Sequence, residues 1–176
     1  DLCALAERLG EPTEELNGWL GRARAAYDTR LWDEDAGLYY DFDLRAGERI
    51  RENTCAAFLP LYAGLASEAQ AARLLGHLRS PDAYAPDSRT RYLLPSAAKN
   101  SPYFEPRRYW RGPVWLNVNW LLVQGLRRYG SQYPYHPNGR GFAEYYDPRD
   151  GTPCGARRFS WSAALVLELL QSAEPT

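Results

Sequence analysis

The 176 residues contain no methionine, so Asp1 is not a natural start, and the chain is expected to begin inside a longer gene product. Cysteine is scarce and odd in number: Cys3, Cys55 and Cys154 are too few and too widely spaced for a disulfide framework. They read as small apolar residues in a reducing compartment, which points to the cytoplasm. Histidine is scarcer still. His77 and His136 have no partner at a metal-binding spacing, so no zinc site is expected, and no cofactor is called for. A net charge of −1 supplies no general pull toward nucleic acid or an anionic membrane surface. No apolar run approaches the ~20 residues of a membrane span, and no signal-peptide pattern opens the chain.

What is abundant is the aromatic ring. Six Trp and thirteen Tyr help bring aromatic content to 14%, which suits a carbohydrate-binding cleft as well as a large core. With 45% apolar residues there is material for a sizeable core, and the length fits one domain or part of a larger one.

The hydrophobic pattern predicts two kinds of helix. Residues 13–27 align Leu16, Trp19, Leu20, Ala23, Ala26 and Tyr27 on one stripe, and residues 68–79 do the same with Ala71, Leu74, Leu75 and Leu78. Both are amphipathic surface helices. Residues 54–65, 114–129 and 160–170 are instead apolar nearly all round, the mark of helices enclosed by other helices. The alternation of the two kinds breaks between 130 and 141, where Pro134 and Pro137 oppose a helix. A helix belongs there, and residues missing from the sequence would account for its absence.

The connections into the enclosed helices are long: 28–53, 80–113 and 141–159. Loops above ~15 residues are usually functional or disordered, and these, rich in aromatics and glycine, lack a disordered composition. Each enters the same end of an enclosed helix, so all three should gather on one face, the predicted site. An inner helical layer wrapped by an amphipathic outer one is the logic of an α/α barrel, and the fold class is all-α. Residues 1–176 amount to about half of such a ring, whose open sides would expose apolar surface unless the rest comes from elsewhere.

The second long loop runs into Tyr103–Trp120, YFEPRRYWRGPVWLNVNW. Gly112-Pro113 ends the loop and starts a helix, with Pro in the first turn. Trp110, Trp115 and Trp120 offer ring faces for a sugar, and Arg111 could grip hydroxyls or a carboxylate. Asn117 and Asn119 sit on a helix too apolar to carry polar groups without partners; the plainer reading has them tying down loops. In the first loop, Leu31–Asp43 holds a DxDxG fragment that lacks the further ligands of a calcium loop and reads as a polar turn. Asp41 and Asp43 are candidate substrate contacts. Lys99 and Asn100 read as part of a solvated loop.

In the third loop, GFAEYYDPRDGTPCGARRFSW places Glu144 among aromatic residues, glycines and arginines. Apolar neighbours would desolvate its carboxylate, the usual way to poise a base, and Arg157 and Arg158 would hold it ionised. Glycosidic cleavage normally takes two carboxylates, and no second one stands out.

YWRGPVWLNVNWLL followed by GFAEYYDPRDGTPCGARRFSWSAAL resembles the C-terminal half of glycoside hydrolase family 63, which includes processing α-glucosidase and the bacterial mannosylglycerate and glucosylglycerate hydrolases. LWDEDAGLYYDFD and AAFLPLYAGLASEAQAARLLGHL look like family segments too, so the resemblance spans the chain. It implies an (α/α)6 barrel that hydrolyses α-linked sugars with inversion. It places the general base at Glu144 and sets Trp110, Arg111, Gly112, Trp115 and Trp161 around the sugar; Tyr145 and Asp41 stand beside these as candidate substrate contacts read from the loops themselves. The family's general acid is an Asp upstream of the segment resembling Asp1–Gly10. No residue here matches that motif, and Asp41 is the only in-chain substitute.

The expectation is therefore an inverting α-glycosidase acting on an α-glucoside or α-mannoside, mannosylglycerate or glucosylglycerate among them. Its partners are the carbohydrate and the N-terminal half of the same barrel, with no nucleic acid, membrane or metal, and the chain alone should be inactive. Two alternatives stand beside it: a sugar epimerase or isomerase on the same barrel, which would rely on histidine, and a non-catalytic carbohydrate-binding helical domain.

Overall fold

The computed structural model describes residues 2–88, 90–92, 94–131 and 141–172. The chain forms two compact units, Asp1–Ile50 and Arg51–Thr176. The stretch 132–140, within which the missing helix is expected, lies outside the described residues.

The first unit begins with a helix the pattern does not announce, α1 (Leu2–Leu9), followed by α2 (Glu14–Ala26). Gly10, in left-handed geometry at φ 73°, ends α1. The apolar stripe expected on α2 is present, yet no α2 residue is buried, and Trp19 is exposed. After a π-helical turn at Tyr27–Leu31 the chain folds into two hairpins. Strands β1 (Trp32–Asp33) and β2 (Leu38–Tyr39) pair antiparallel, as do β3 (Asp41–Asp43) and β4 (Glu48–Ile50). The DxDxG fragment is the polar turn of the first hairpin. Asp33 Oδ1 accepts from Ala36 N at 3.0 Å, and Gly37, at φ 68°, donates to Asp33 O at 2.8 Å. Below it Trp32 and Tyr39 lie 4.8 Å apart.

In the second unit a 3-10 turn, Cys55–Phe58, leads into the short helix α3 (Leu59–Ala63), closed by Gly64 at φ 66°. The helix expected over 54–65 is thus one tight turn plus about one α turn, because Pro60 belongs at a helix start and Gly64 at its end. The amphipathic helix α4 (Glu68–Arg79) carries a capping box between Ser67 and Gln70 and buries Ala71, Leu74 and Leu78. Helix α5 (Leu116–Arg128) packs along α3. Gly125 makes that approach possible: a Cβ there would lie 2.7 Å from Tyr62 N. Strands β5 (Ala143–Tyr146) and β6 (Pro153–Arg157) form an antiparallel hairpin, and α6 (Ser160–Ser172) follows. Leu116, Ala143 and Tyr146 pack with Leu165 and Val166, joining α5, β5 and α6 in one core.

One expectation is corrected here. The fold is not purely helical: the first and third long connections close backbone hydrogen bonds by folding back as hairpins. The apolar helices present uncovered apolar side chains. Trp161 and Leu167 on α6 are 56% and 61% exposed, and Leu59 and Tyr62 on α3 are also exposed. Among the described residues, no helix is long and apolar enough to cross a membrane.

Candidate active site

Main-chain bonds bring the second and third long loops together. Val114 and Tyr146 bridge antiparallel, Val114 N donating to Tyr146 O at 2.8 Å and Tyr146 N to Val114 O at 2.9 Å. Arg91 N donates to Pro148 O at 2.8 Å, and within the second loop Ser96 N donates to Pro113 O at 3.0 Å. Asn119 adds a side-chain tie, accepting from Leu94 N at 2.9 Å and donating to Trp115 O at 2.9 Å. This is the loop-pinning role expected of an asparagine on an apolar helix.

The Val114–Tyr146 bridge sets Trp115 beside Tyr145. The two rings stack with centroids 4.9 Å apart, and Trp110 stacks on Trp115 at 4.0 Å and 6°. Tyr109 meets Trp110, Trp115 and Tyr145 edge-on at 5.9, 5.1 and 5.6 Å. Trp115 is 3% exposed and supports the stack from within, whereas Trp110, at 43%, presents a ring outward. Trp115 Nε1 donates to Tyr109 O at 3.2 Å, which helps hold Tyr109 at φ 38°, a costly conformation for a tyrosine. Nothing in the sequence signals that geometry, and Tyr109 is a site residue that sequence reasoning passes over.

Arg111 is half-exposed. It lies 3.5 Å from a Glu105 oxygen, which Arg108 also approaches at 3.0 Å, and sits over the Tyr103 ring at 5.8 Å. Gly112 is required by space: its N–H donates to Ser96 Oγ at 2.9 Å, and a Cβ would meet Glu105 O at 2.7 Å. Trp161 stands apart from the aromatic stack and contacts Phe159 edge-on at 5.3 Å. Asp41 belongs to the first unit, exposed on β3 opposite Ile50.

Glu144 lies on β5 directly before Tyr145, half-buried rather than buried. Its Oε2 accepts from Ala156 N at 3.1 Å. Arg157 and Arg158 make no ion pair with it among the described residues, in contrast to the expectation. A main-chain N–H takes the place of a guanidinium. Burial pushes the Tyr145 phenol up, with Cys154, Glu144 and Tyr109 adding to the effect, so it stays a neutral hydroxyl.

The arginines that do matter here serve Asp147. This carboxylate has no exposed surface and accepts from Arg107 Nε at 2.7 Å, Arg149 Nη2 at 2.7 Å and Arg149 N at 2.9 Å. Burial opposes its ionisation, but the hydrogen bonds from Arg149 and Arg107 outweigh burial and hold the carboxyl down at about 2. Asp147 closes the β5–β6 turn, donating its N–H to Thr152 O at 2.9 Å and accepting from Gly151 N at 2.9 Å. Lys99 corrects another expectation. It is buried, not solvated, pairing with Asp87 at 3.1 Å and donating to Ala85 O. Among the described residues no group of three His, Cys, Asp or Glu side chains could hold a metal ion.

Comparison with known proteins gives this geometry its setting. Residues 1–162 match the family model described as the mannosylglycerate hydrolase MGH1-like glycoside hydrolase domain. The chain is 44% identical to a mannosylglycerate hydrolase of Thermus thermophilus over 95% of its own length and 41% of that protein's. It is 42% identical to mannosylglycerate hydrolase MGH2 of Selaginella moellendorffii, over 97% of this chain and 36% of that protein. A crystal structure of the family 63 mannosylglycerate hydrolase from Thermus thermophilus, in complex with glucose, superposes with a TM-score of 0.85 at 41% identity, over 96% of this chain and 44% of that one. The chain thus spans about two fifths of the length of the curated relatives it matches. It belongs to the mannosylglycerate hydrolase MGH1-like glycoside hydrolase family.

Proposed function

We propose that this chain carries the general base and part of the sugar subsite of an inverting α-glycosidase acting on mannosylglycerate or a close analogue such as glucosylglycerate. The observation that carries the reading is Glu144: one carboxylate oxygen is held by Ala156 N–H while the other has no hydrogen bond among the described residues, beside an aromatic stack with Trp110 outermost. In this reaction Glu144 takes a proton from water as the water oxygen bonds to the anomeric carbon. The glycosidic C–O bond breaks on the opposite face, and its electron pair leaves with the aglycone oxygen, which a carboxylic acid protonates. Inversion needs the two carboxyl groups about 6.5–9.5 Å apart to admit the water. That acid is proposed to lie in sequence outside this chain, together with the helices that complete an (α/α)6 barrel and cover Leu167 of α6. Trp110 stacks on the sugar, Trp115 and Tyr145 back it, and Arg111, Gly112 and Trp161 line the remainder.

The test uses the full-length gene product. Glu144→Gln removes the proton acceptor at constant shape and should lower kcat about 10²–10⁴-fold, the usual contribution of a general base. Product followed by NMR should first appear as the anomer opposite to that of the substrate. Unchanged hydrolysis in Glu144→Gln, with mannosylglycerate and glucosylglycerate both assayed, would sink the proposal.

A further inference from the structure

The β5–β6 hairpin is irregular at one point. Ala143 pairs with Arg157 and Tyr145 with Cys154, so Gly155 and Ala156 together oppose the single residue Glu144. This is a bulge, and its first residue, Gly155, is left-handed at φ 68°. Bulges of this kind re-aim a side chain. Here the displaced N–H of Ala156 leaves the ladder and donates to Glu144 Oε2 at 3.1 Å. Gly155 is also where the carboxylate finds its room. A Cβ at that position would lie 2.6 Å from Glu144 Oε2, 2.9 Å from Glu144 Cβ and 2.7 Å from Tyr145 Cε1. Rotating the carboxylate away would relieve only the first contact, since Glu144 Cβ is fixed to the strand.

The strand itself is anchored on both sides of this point. Tyr146 Oη accepts from Ala143 N at 2.8 Å and donates to Gly141 O at 2.7 Å, while Ser162 Oγ donates to Ala143 O. Beyond Glu144, the Val114–Tyr146 bridge holds the chain. The backbone on both sides of Glu144 is therefore pinned, and the bulge supplies the amide that its carboxylate meets.

We propose that the Gly155–Ala156 bulge is a positioning element for Glu144, supplying the space and the amide that fix one carboxylate oxygen and leave the other toward water. The proposal rests on the general-base reading of Glu144 given above. The bulge touches neither substrate nor reacting atoms; Gly155 acts through Glu144.

In the full-length protein, Gly155→Ala should lower kcat on mannosylglycerate about 10²-fold, the usual effect of an ångström-scale misplacement, with KM changed less than about 3-fold. Gly155→Asn brings the same Cβ but tolerates the left-handed backbone better, and should lose kcat similarly while folding more readily. Gly10→Ala serves as the control for backbone strain. Gly10 is left-handed at φ 73° after α1, with nothing within 4 Å of its Cβ among the described residues, so the variant should keep wild-type kcat. The decisive measurement is the double variant. Because Gly155 acts through the carboxylate, Gly155→Ala in a Glu144→Gln background should cost no further activity. Additive losses, or wild-type kcat in a folded Gly155→Asn variant, would overturn the positioning role while leaving Glu144 as the base. An active Glu144→Gln variant would instead overturn the reading beneath it.

Discussion

Replacing Asp147 by Asn tests whether the turn behind Glu144 is held by charge. The folded-state carboxyl sits at about 2 against an ordinary 3.8. At about 1.4 kcal/mol per unit, that difference corresponds to about 2 kcal/mol of stability at neutral pH. Arg107 and Arg149 are themselves half-exposed, so solvent screening reduces the expected value to about 1–2 kcal/mol. The sign follows from a depressed folded-state value. The stabilisation is fully present above 3.8 and is lost as pH falls through about 2. Urea unfolding of wild type and Asp147→Asn at several pH values should show a constant gap from pH 7 to about 5, narrowing by about half near pH 3. A gap of the same size at pH 3 as at pH 6 would refute the electrostatic account. So would no gap at all, which would mean that the turn is held by its main-chain bonds to Thr152 and Gly151 alone.

Asn119→Leu keeps the helix apolar but leaves Leu94 N–H buried without its acceptor, and should destabilise by about 1–3 kcal/mol in the same unfolding assay. Because that bond ties down the loop carrying Trp110, activity should fall before global unfolding as urea is raised. Gly125→Ala should cost about 1–3 kcal/mol despite alanine's better helix propensity, since a Cβ would lie 2.7 Å from Tyr62 N and 2.9 Å from Leu61 C. A more stable Gly125→Ala variant, read from the unfolding midpoint, would show that α3 and α5 have room to separate.

Periodicity in the sequence locates α2, α4, α5 and α6, because their apolar residues recur at helical spacing. It misses α1, whose eight residues are too few to set a pattern against their neighbours. The short hairpins are also missed: two- and three-residue strands carry no alternation to read. Of the three tryptophans read as a cluster, Trp110 and Trp115 do stack, but Trp120 meets Tyr62 at 6.1 Å instead, and Tyr145 joins the stack. The partners of the charges are not legible. Arg157 and Arg158 are near Glu144 in sequence, yet the carboxylate bonds to a backbone amide, while distant Arg107 reaches Asp147 across forty positions. Such pairings are set by how two loops meet, and no local pattern encodes them. Tyr109 and Gly155 likewise owe their roles to backbone angles at a loop and a bulge.

The two loops of the site are stitched together chiefly by main-chain groups, Val114 with Tyr146 and Arg91 with Pro148, while Ser96 with Pro113 braces the second loop itself. A peptide N–H is indifferent to the side chain beside it. Substitution at the outward-facing positions of these loops can therefore alter what the cleft contacts without disturbing how the loops are registered. Proline is the exception at 91, 96, 114 and 146, where the N–H itself is the fastener. What the loops present can thus change while their register stays put.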